Sequence, residues 1–147
     1  GKDGWAVHTG LDLNFGGGDA DLGMNVYAMA SGAVEFAANT GAGFGNVLVL
    51  RHDNGVWSRY CHLQGFGPGV KPGAHVDRGQ LVAHVGKTGG TTWAHLHFDI
   101  LHTRPPANRG GWCNWPGADR AQVHAYYLDP ATWLIQHGCK PMVVQLG

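Results

Sequence analysis

Short runs of β-forming residues, each closed off by glycine, carry this chain from about residue 26 to residue 101 and constrain its fold more than any other feature. Glycine makes up 25 of the 147 residues. Apolar and β-branched runs of four to eight residues bounded by turn formers are too short for buried helices, so they predict strands of a mostly antiparallel sheet. Residues 26–29 and 33–36 flank Ser31-Gly32, a predicted hairpin turn. Residues 46–52 and 56–63 flank Asp53-Asn54-Gly55, a stronger one. Residues 75–76 and 80–85 flank Asp77-Arg78-Gly79, a third, and residues 96–101 form a further strand. The character changes at 103–127, where Pro105-Pro106, Gly110-Gly111, Trp112 and Trp115 follow no period. This stretch reads as a long ordered loop inserted into the domain, a kind of segment that is more often functional than idle. Asp129 as N-cap and Pro130 in the first turn predict one short C-terminal helix. With no repeat and no linker, residues 1–147 read as a single domain.

Ten lysines and arginines balance ten aspartates and glutamates. Such a chain lacks the basic excess with which proteins hold nucleic acid or an anionic membrane by charge. No stretch approaches the roughly 20 apolar residues of a membrane span, and nothing at the start resembles a signal peptide. The expectation is a processed form or a domain cut from a longer protein. Cys61, Cys113 and Cys139 have no zinc-site spacing. In an oxidising compartment Cys113 and Cys139, both in loop-like surroundings, are the expected pair, and Cys61 reads as a small buried hydrophobe.

Histidine, the commonest metal ligand, is unusually frequent at ten residues, whereas glutamate occurs once, as Glu35. Three histidine patterns need a joint explanation. His8 precedes Asp12 by four residues in a loop that runs into a strand. His95, His97 and Asp99 alternate with Leu96, Phe98 and Ile100, so the polar three share one strand face and the apolar three the other. Tyr60 and His62 alternate with Cys61 and Leu63, which puts Tyr60 and His62 on one face. Each pattern alone has an ordinary structural explanation; together they outline a site. Two histidines and an aspartate are a sufficient protein ligand set for hydrolytic zinc, with one position left for water. No His-Glu-x-x-His motif is present, so the base for that water must be a histidine or an aspartate.

In these residues the chain resembles the lysostaphin-type (β-lytic) family of zinc metalloendopeptidases. His-x-x-x-Asp at His8/Asp12, His62-Leu63 on an intervening strand and His-x-His at His95/His97 stand in the family's order, and the similarity runs from His8 to Leu101, about two thirds of the chain. The resemblance implies a mostly β fold, an antiparallel-sheet groove of the lysostaphin or duplicated-hybrid-motif kind. It makes His8, Asp12 and His97 the ligands of one Zn2+ per chain. It makes His95 the general base and His62 the group that orients water or stabilises the developing oxyanion. The implied substrates are peptide cross-links of bacterial peptidoglycan. The implied setting is a secreted, periplasmic or wall-associated monomer, bacterial or phage-encoded, with no nucleic-acid partner. The family usually carries glutamate where this chain has Asp99, a carboxylate still placed to support a ligand. Trp93 is expected to shape the groove. The 103–127 insertion is expected to form a groove wall, with Trp112, Trp115, Arg104 and Arg109 available to substrate.

Rival readings are a non-catalytic wall-binding or hydrolase-activating module of the same fold, and a D,D-carboxypeptidase with the same ligands. Residues 28–34 also resemble the hairpin of a biotinyl or lipoyl carrier, but Ala30 stands where a carrier needs lysine.

Overall fold

The structure, a computed structural model, describes residues 9–14 and 16–137. Among the described residues, ten strands form two antiparallel sheets. The larger contains β1 (Leu11–Leu13), β3 (Gly32–Asn39), β4 (Asn46–Arg51), β5 (Trp57–Leu63), β7 (His75–Val76), β9 (Leu96–Leu101) and β10 (Tyr127–Leu128). Its strand order is β1-β9-β5-β4-β3-β7, and β10 shares with β1 the same side of β9, pairing with its C-terminal end. The smaller sheet, in the order β2-β8-β6, contains β2 (Asn25–Tyr27), β6 (Gly65–Phe66) and β8 (Leu81–His84).

The β4–β5 hairpin forms about the predicted turn, where Gly55 takes φ 76° and the His52 amide donates to the Val56 carbonyl. The other two predicted hairpins do not pair. Strand β2 pairs with β8 and β3 with β4 and β7, so the Ser31-Gly32 turn carries the chain from one sheet to the other, as does Asp77-Arg78-Gly79. A turn signal fixes a local reversal of direction; which strand the next run meets is decided by burial.

Burial explains the apolar run in β4. Leu48 and Leu50 join Tyr60, Phe98 and Ile100 in a core shared with Val26, Val82 and Val85 around the small sheet. Val47 and Val49, on the opposite face, pack with Cys61, Leu101, Trp112 and Tyr127. A strand covered on both faces loses the alternation of polar and apolar residues. Cys61 is fully buried, as expected.

The second cover comes from the segment read as a loop. It holds two 3-10 turns, Ala107–Arg109 and Gly111–Cys113, then a helix, α1 (Arg120–Tyr126), capped by the Asp119 side chain on the Gln122 amide. The sequence reading missed this helix because its seven residues bury only Val123 and so show no apolar stripe. The expected C-terminal helix follows as α2 (Pro130–Gln136), with Asp129 as N-cap and Pro130 in its first turn. Cys139 lies outside the described residues, and with it the expected disulfide; Cys113 is exposed.

Candidate active site

Strand β9 provides the site. Its alternation is as expected: Leu96, Phe98 and Ile100 enter the core, while His97 and Asp99 face the opposite side. Strand β1 runs antiparallel to it with Asp12 opposite His97. Gly10 makes this approach possible, because a Cβ there would collide with the Phe98 carbonyl oxygen and lie 2.7 Å from the Asp99 Cβ. Asp12 Oδ1 lies 3.2 Å from His97 Nδ1 and 3.5 Å from His95 Nε2.

His62 reaches the same cleft by an irregularity. Between the pairs Leu48–Tyr60 and Asn46–Leu63, β5 advances three residues while β4 advances two, a β-bulge. Within it His62 adopts φ 61°, the only positive φ outside glycine among the described residues. Left-handed backbone costs a non-glycine residue about 1–2 kcal/mol, so its surroundings must hold it there. The His62 amide donates to the Phe44 carbonyl at 2.8 Å, and Gly86 passes so close that a Cβ would lie 2.6 Å from the His62 carbonyl oxygen. The bulge corrects the expected alternation. Tyr60 goes to the core beside Phe98, whereas the His62 ring turns toward His95 and His97, with centroid separations of 4.9 and 6.2 Å.

Carbonyl partners fix the tautomers, since a carbonyl can only accept. His62 Nδ1 donates to the Thr88 carbonyl at 2.8 Å and His95 Nδ1 to the Trp93 carbonyl at 3.1 Å, with Thr91 Oγ1 beside it at 3.2 Å. Both rings therefore keep their basic lone pair on Nε2. His97 is turned the other way. Both its nitrogens face carboxylates: Nε2 lies 2.9 Å from Asp99 Oδ2, and Nδ1 is directed at Asp12 Oδ1 at 3.2 Å. Burial lowers the pKa of His62, and nearby His95 and His97 lower it further, against the Thr88 carbonyl and Asp12. His62 is accordingly neutral at neutral pH.

Behind His97 lies a buried ionic network that the sequence reading did not find. Arg59 and Asp99 are both fully buried on facing positions of β5 and β9. Arg59 Nε donates to Asp99 Oδ1 at 2.8 Å and Nη2 to Oδ2 at 2.5 Å, while Thr9 Oγ1 adds a bond to Oδ2 at 2.8 Å. Burial alone would raise the Asp99 pKa, but Arg59 and His97 hold it well below the usual carboxylate range. Arg59 Nη1 donates to the Trp112 and Asn114 carbonyls at 3.0 and 3.1 Å, so one guanidinium ties the insertion to the strand that carries His97. Arg59 in β5 and Asp99 in β9 were visible in the sequence, but their pairing was not.

His62, His95, His97 and Asp12 line a groove of about 390 Å³, walled by Phe44 and Trp115. Trp115 is 51% exposed, with its ring 5.9 Å from that of Phe44. The insertion thus forms a groove wall, but its aromatics divide. Trp115 faces the groove; Trp112 is buried against Trp57 at 5.6 Å and is part of the packing. Trp93 bears on the site through the carbonyl that fixes His95.

His8, the third expected ligand, lies outside the described residues, and among those residues no group of three His, Cys, Asp or Glu is arranged to hold a metal ion. The two expected ligands that are described, Asp12 and His97, nonetheless have a donor spacing that fits one. Nitrogen and oxygen donors on adjacent corners of a tetrahedral zinc stand about 3.3 Å apart, against 3.2 Å between His97 Nδ1 and Asp12 Oδ1. A carboxylate on the far nitrogen is also one of the usual partners of a metal-ligating histidine, and Asp99 stands in that place beside His97.

The profile of peptidase family M23 matches residues 6–109. The chain belongs to that family. Among M23 relatives, the DD-carboxypeptidase/endopeptidase Mpg of Neisseria meningitidis serogroup B is 36% identical over 104 residues, which cover 71% of this chain and 22% of Mpg. A zinc-containing peptidase from Vibrio cholerae is 35% identical with a TM-score of 0.55, over 63% of this chain and 26% of that one. The chain thus spans about a quarter of the length of these two. The catalytic domain of lysostaphin, an antimicrobial peptidase from Staphylococcus simulans, is 26% identical with a TM-score of 0.65 over 87% of this chain and 79% of that domain. The M23 assignment and the antiparallel lysostaphin-type fold agree with the resemblance carried by the histidine motifs.

Proposed function

We propose that this M23 chain is a zinc-dependent endopeptidase that hydrolyses peptide cross-links of bacterial peptidoglycan outside the cytoplasm, as one catalytic domain with the 103–127 insertion as a groove wall. The observation that carries the reading is the convergence of Asp12 Oδ1 and His97 Nδ1 beside two histidines whose basic nitrogens are preset. His8, Asp12 and His97 are the residues that would hold the ion. When bound, zinc supplies the Lewis acidity that makes water nucleophilic near neutral pH and polarises the scissile carbonyl.

The chain's own groups do the rest. His95, with its Nδ1 proton given to the Trp93 carbonyl, takes the proton of the attacking water at Nε2, and Asp12 at 3.5 Å steadies the imidazolium. The same proton then passes to the leaving amine. Neutral His62 offers a lone pair at Nε2 rather than a proton, which supports orientation of water over donation to an oxyanion. Asp99 and Arg59 keep the His97 ring from turning. Phe44 and Trp115 exclude water and stack against the peptide.

A second reading, removal of a C-terminal D-amino acid, is supported by the DD-carboxypeptidase/endopeptidase name of the Neisseria relative. Metal analysis with clearing of purified peptidoglycan, for wild type and His97→Ala, tests the main reading. One zinc per chain and clearing, both lost in the variant, is the expected result. Mass spectrometry of the products separates cut cross-links from trimmed termini. Neither zinc nor clearing in the wild type would move the assignment to a non-catalytic wall-binding module.

A further inference from the structure

A second groove, of about 520 Å³, is lined by the Gly111–Cys113 turn, Phe36 and residues 104–107. Cys113 lines both this groove and the catalytic one, so the two grooves adjoin at that residue. Phe36 and Trp112 form its apolar surface, and Pro105-Pro106 makes one wall conformationally stiff. Arg104 is the only charged residue lining it. Its guanidinium lies over the Trp112 ring, 5.3 Å from the centroid, and the side chain makes no ion pair with a described residue. Trp112 is itself fixed by burial and by the bond from Arg59 to its carbonyl. A guanidinium stacked on an anchored indole keeps its N–H edge available, and that planar fork matches a carboxylate at two points.

We propose that this groove is a substrate subsite for a carboxylate-bearing stem peptide of peptidoglycan, with Arg104 as the residue that selects the free acid. The inference rests on the peptidoglycan reading of the catalytic groove. It adds a recognition element held entirely by the insertion and β3. A groove that borders the catalytic one at Cys113 suits a carboxylate on the same substrate chain, away from the bond to be cut. The second-position glutamate of a stem peptide, joined through its side chain, has such an α-carboxylate, and its amide is the natural uncharged counterpart.

The test uses the zinc-loaded chain and two cross-linked muropeptides that differ only in that group, free α-carboxylate or carboxamide. Binding is read by quenching of tryptophan fluorescence and turnover by mass spectrometry of products, for wild type and Arg104→Gln. Arg104 is exposed and outside both cores, so the variant folds. A charge-assisted pair predicts about tenfold tighter binding of the acid by the wild type. Arg104→Gln should lose that preference through a raised KM for the acid, with kcat and the amide constants unchanged. Equal binding of both peptides by the wild type, or an equal loss for both in the variant, would overturn the subsite. Selective binding without cleavage would keep the subsite and refute the endopeptidase instead.

Discussion

Replacing Arg59 by methionine should be the most damaging single change in the described chain that leaves the groove lining intact. The guanidinium is fully buried and bonds to both Asp99 oxygens, two carbonyls of the insertion and the Tyr127 hydroxyl. Methionine fills most of the volume, so cavity formation contributes little. The loss is the uncompensated Asp99 charge, and breaking one side of a buried pair costs about 3–5 kcal/mol. For a domain of this size that lowers Tm by on the order of 10 °C. Urea unfolding at pH 7 should show the midpoint falling with an unchanged slope. The pH dependence has a definite sign. In the wild type Asp99 is depressed, so its contribution is present above the unfolded carboxylate value near 3.9 and is lost as pH falls through its folded pKa. In Arg59→Met, burial raises Asp99 with only His97 left to oppose it, so the deficit against wild type should be largest near neutral pH and shrink on acidification. Pairing the change with Asp99→Leu should recover part of the loss, since an apolar pair leaves no buried charge. A deficit below about 1 kcal/mol at pH 7, or a double variant worse than the single one, would show that Arg59 does not hold a buried Asp99 charge.

Glycine at position 62 should destabilise the fold less than alanine by about 1 kcal/mol, because only glycine accepts the left-handed backbone freely; both variants should lose about 10²-fold or more in clearing rate. A larger melting-temperature loss for His62→Gly than for His62→Ala would contradict the strain. Since His62 is depressed, activity that depends on its neutral form should hold as pH falls to 6.5 and decline only below it, whereas an acid limb centred above 6.5 would contradict that. His52 donates from Nδ1 to the Ser31 carbonyl at 2.9 Å and holds Ser58 at Nε2, and burial lowers its pKa. Stability from this group is present above pH 6.5 and lost as pH falls through the folded value, so His52→Gln should flatten the urea-midpoint profile between pH 7 and 5. Gly10→Ala should cost about 3 kcal/mol by forcing β1 off β9, and metal affinity should fall with it; unchanged zinc binding would separate Asp12 from that contact.

The sequence was informative where function imposes spacing. Period-two alternation placed Leu96, Phe98 and Ile100 in the core and left His95, His97 and Asp99 together. Residues 46–63 carried their hairpin because Asp53-Asn54-Gly55 and the strand pattern agree. The division into two sheets was not legible, since 26–29 and 33–36 are equally apolar whether they pair with each other or with β8 and β4. His62 was placed on the wrong face because a bulge adds a residue without any local marker; its left-handed turn is held by Phe44, Thr88 and Gly86, all distant in sequence. Arg59 was passed over because a charge inside an apolar strand looks like an exposed position until its partner across the sheet is known.

The shared side of β9 has a consequence for how the site comes into being. The strand bearing His97 is flanked there by β1 at its start and β10 at its end, and Asp12 meets His97 across 85 residues of sequence. Contacts of such long range form late, after the entropy of closing the intervening loops has been overcome. Asp12 and His97 therefore cannot meet until β9 has followed β1 by more than 80 residues. On the proposed reading, activity then reports that strands far apart in the sequence have already paired around β9.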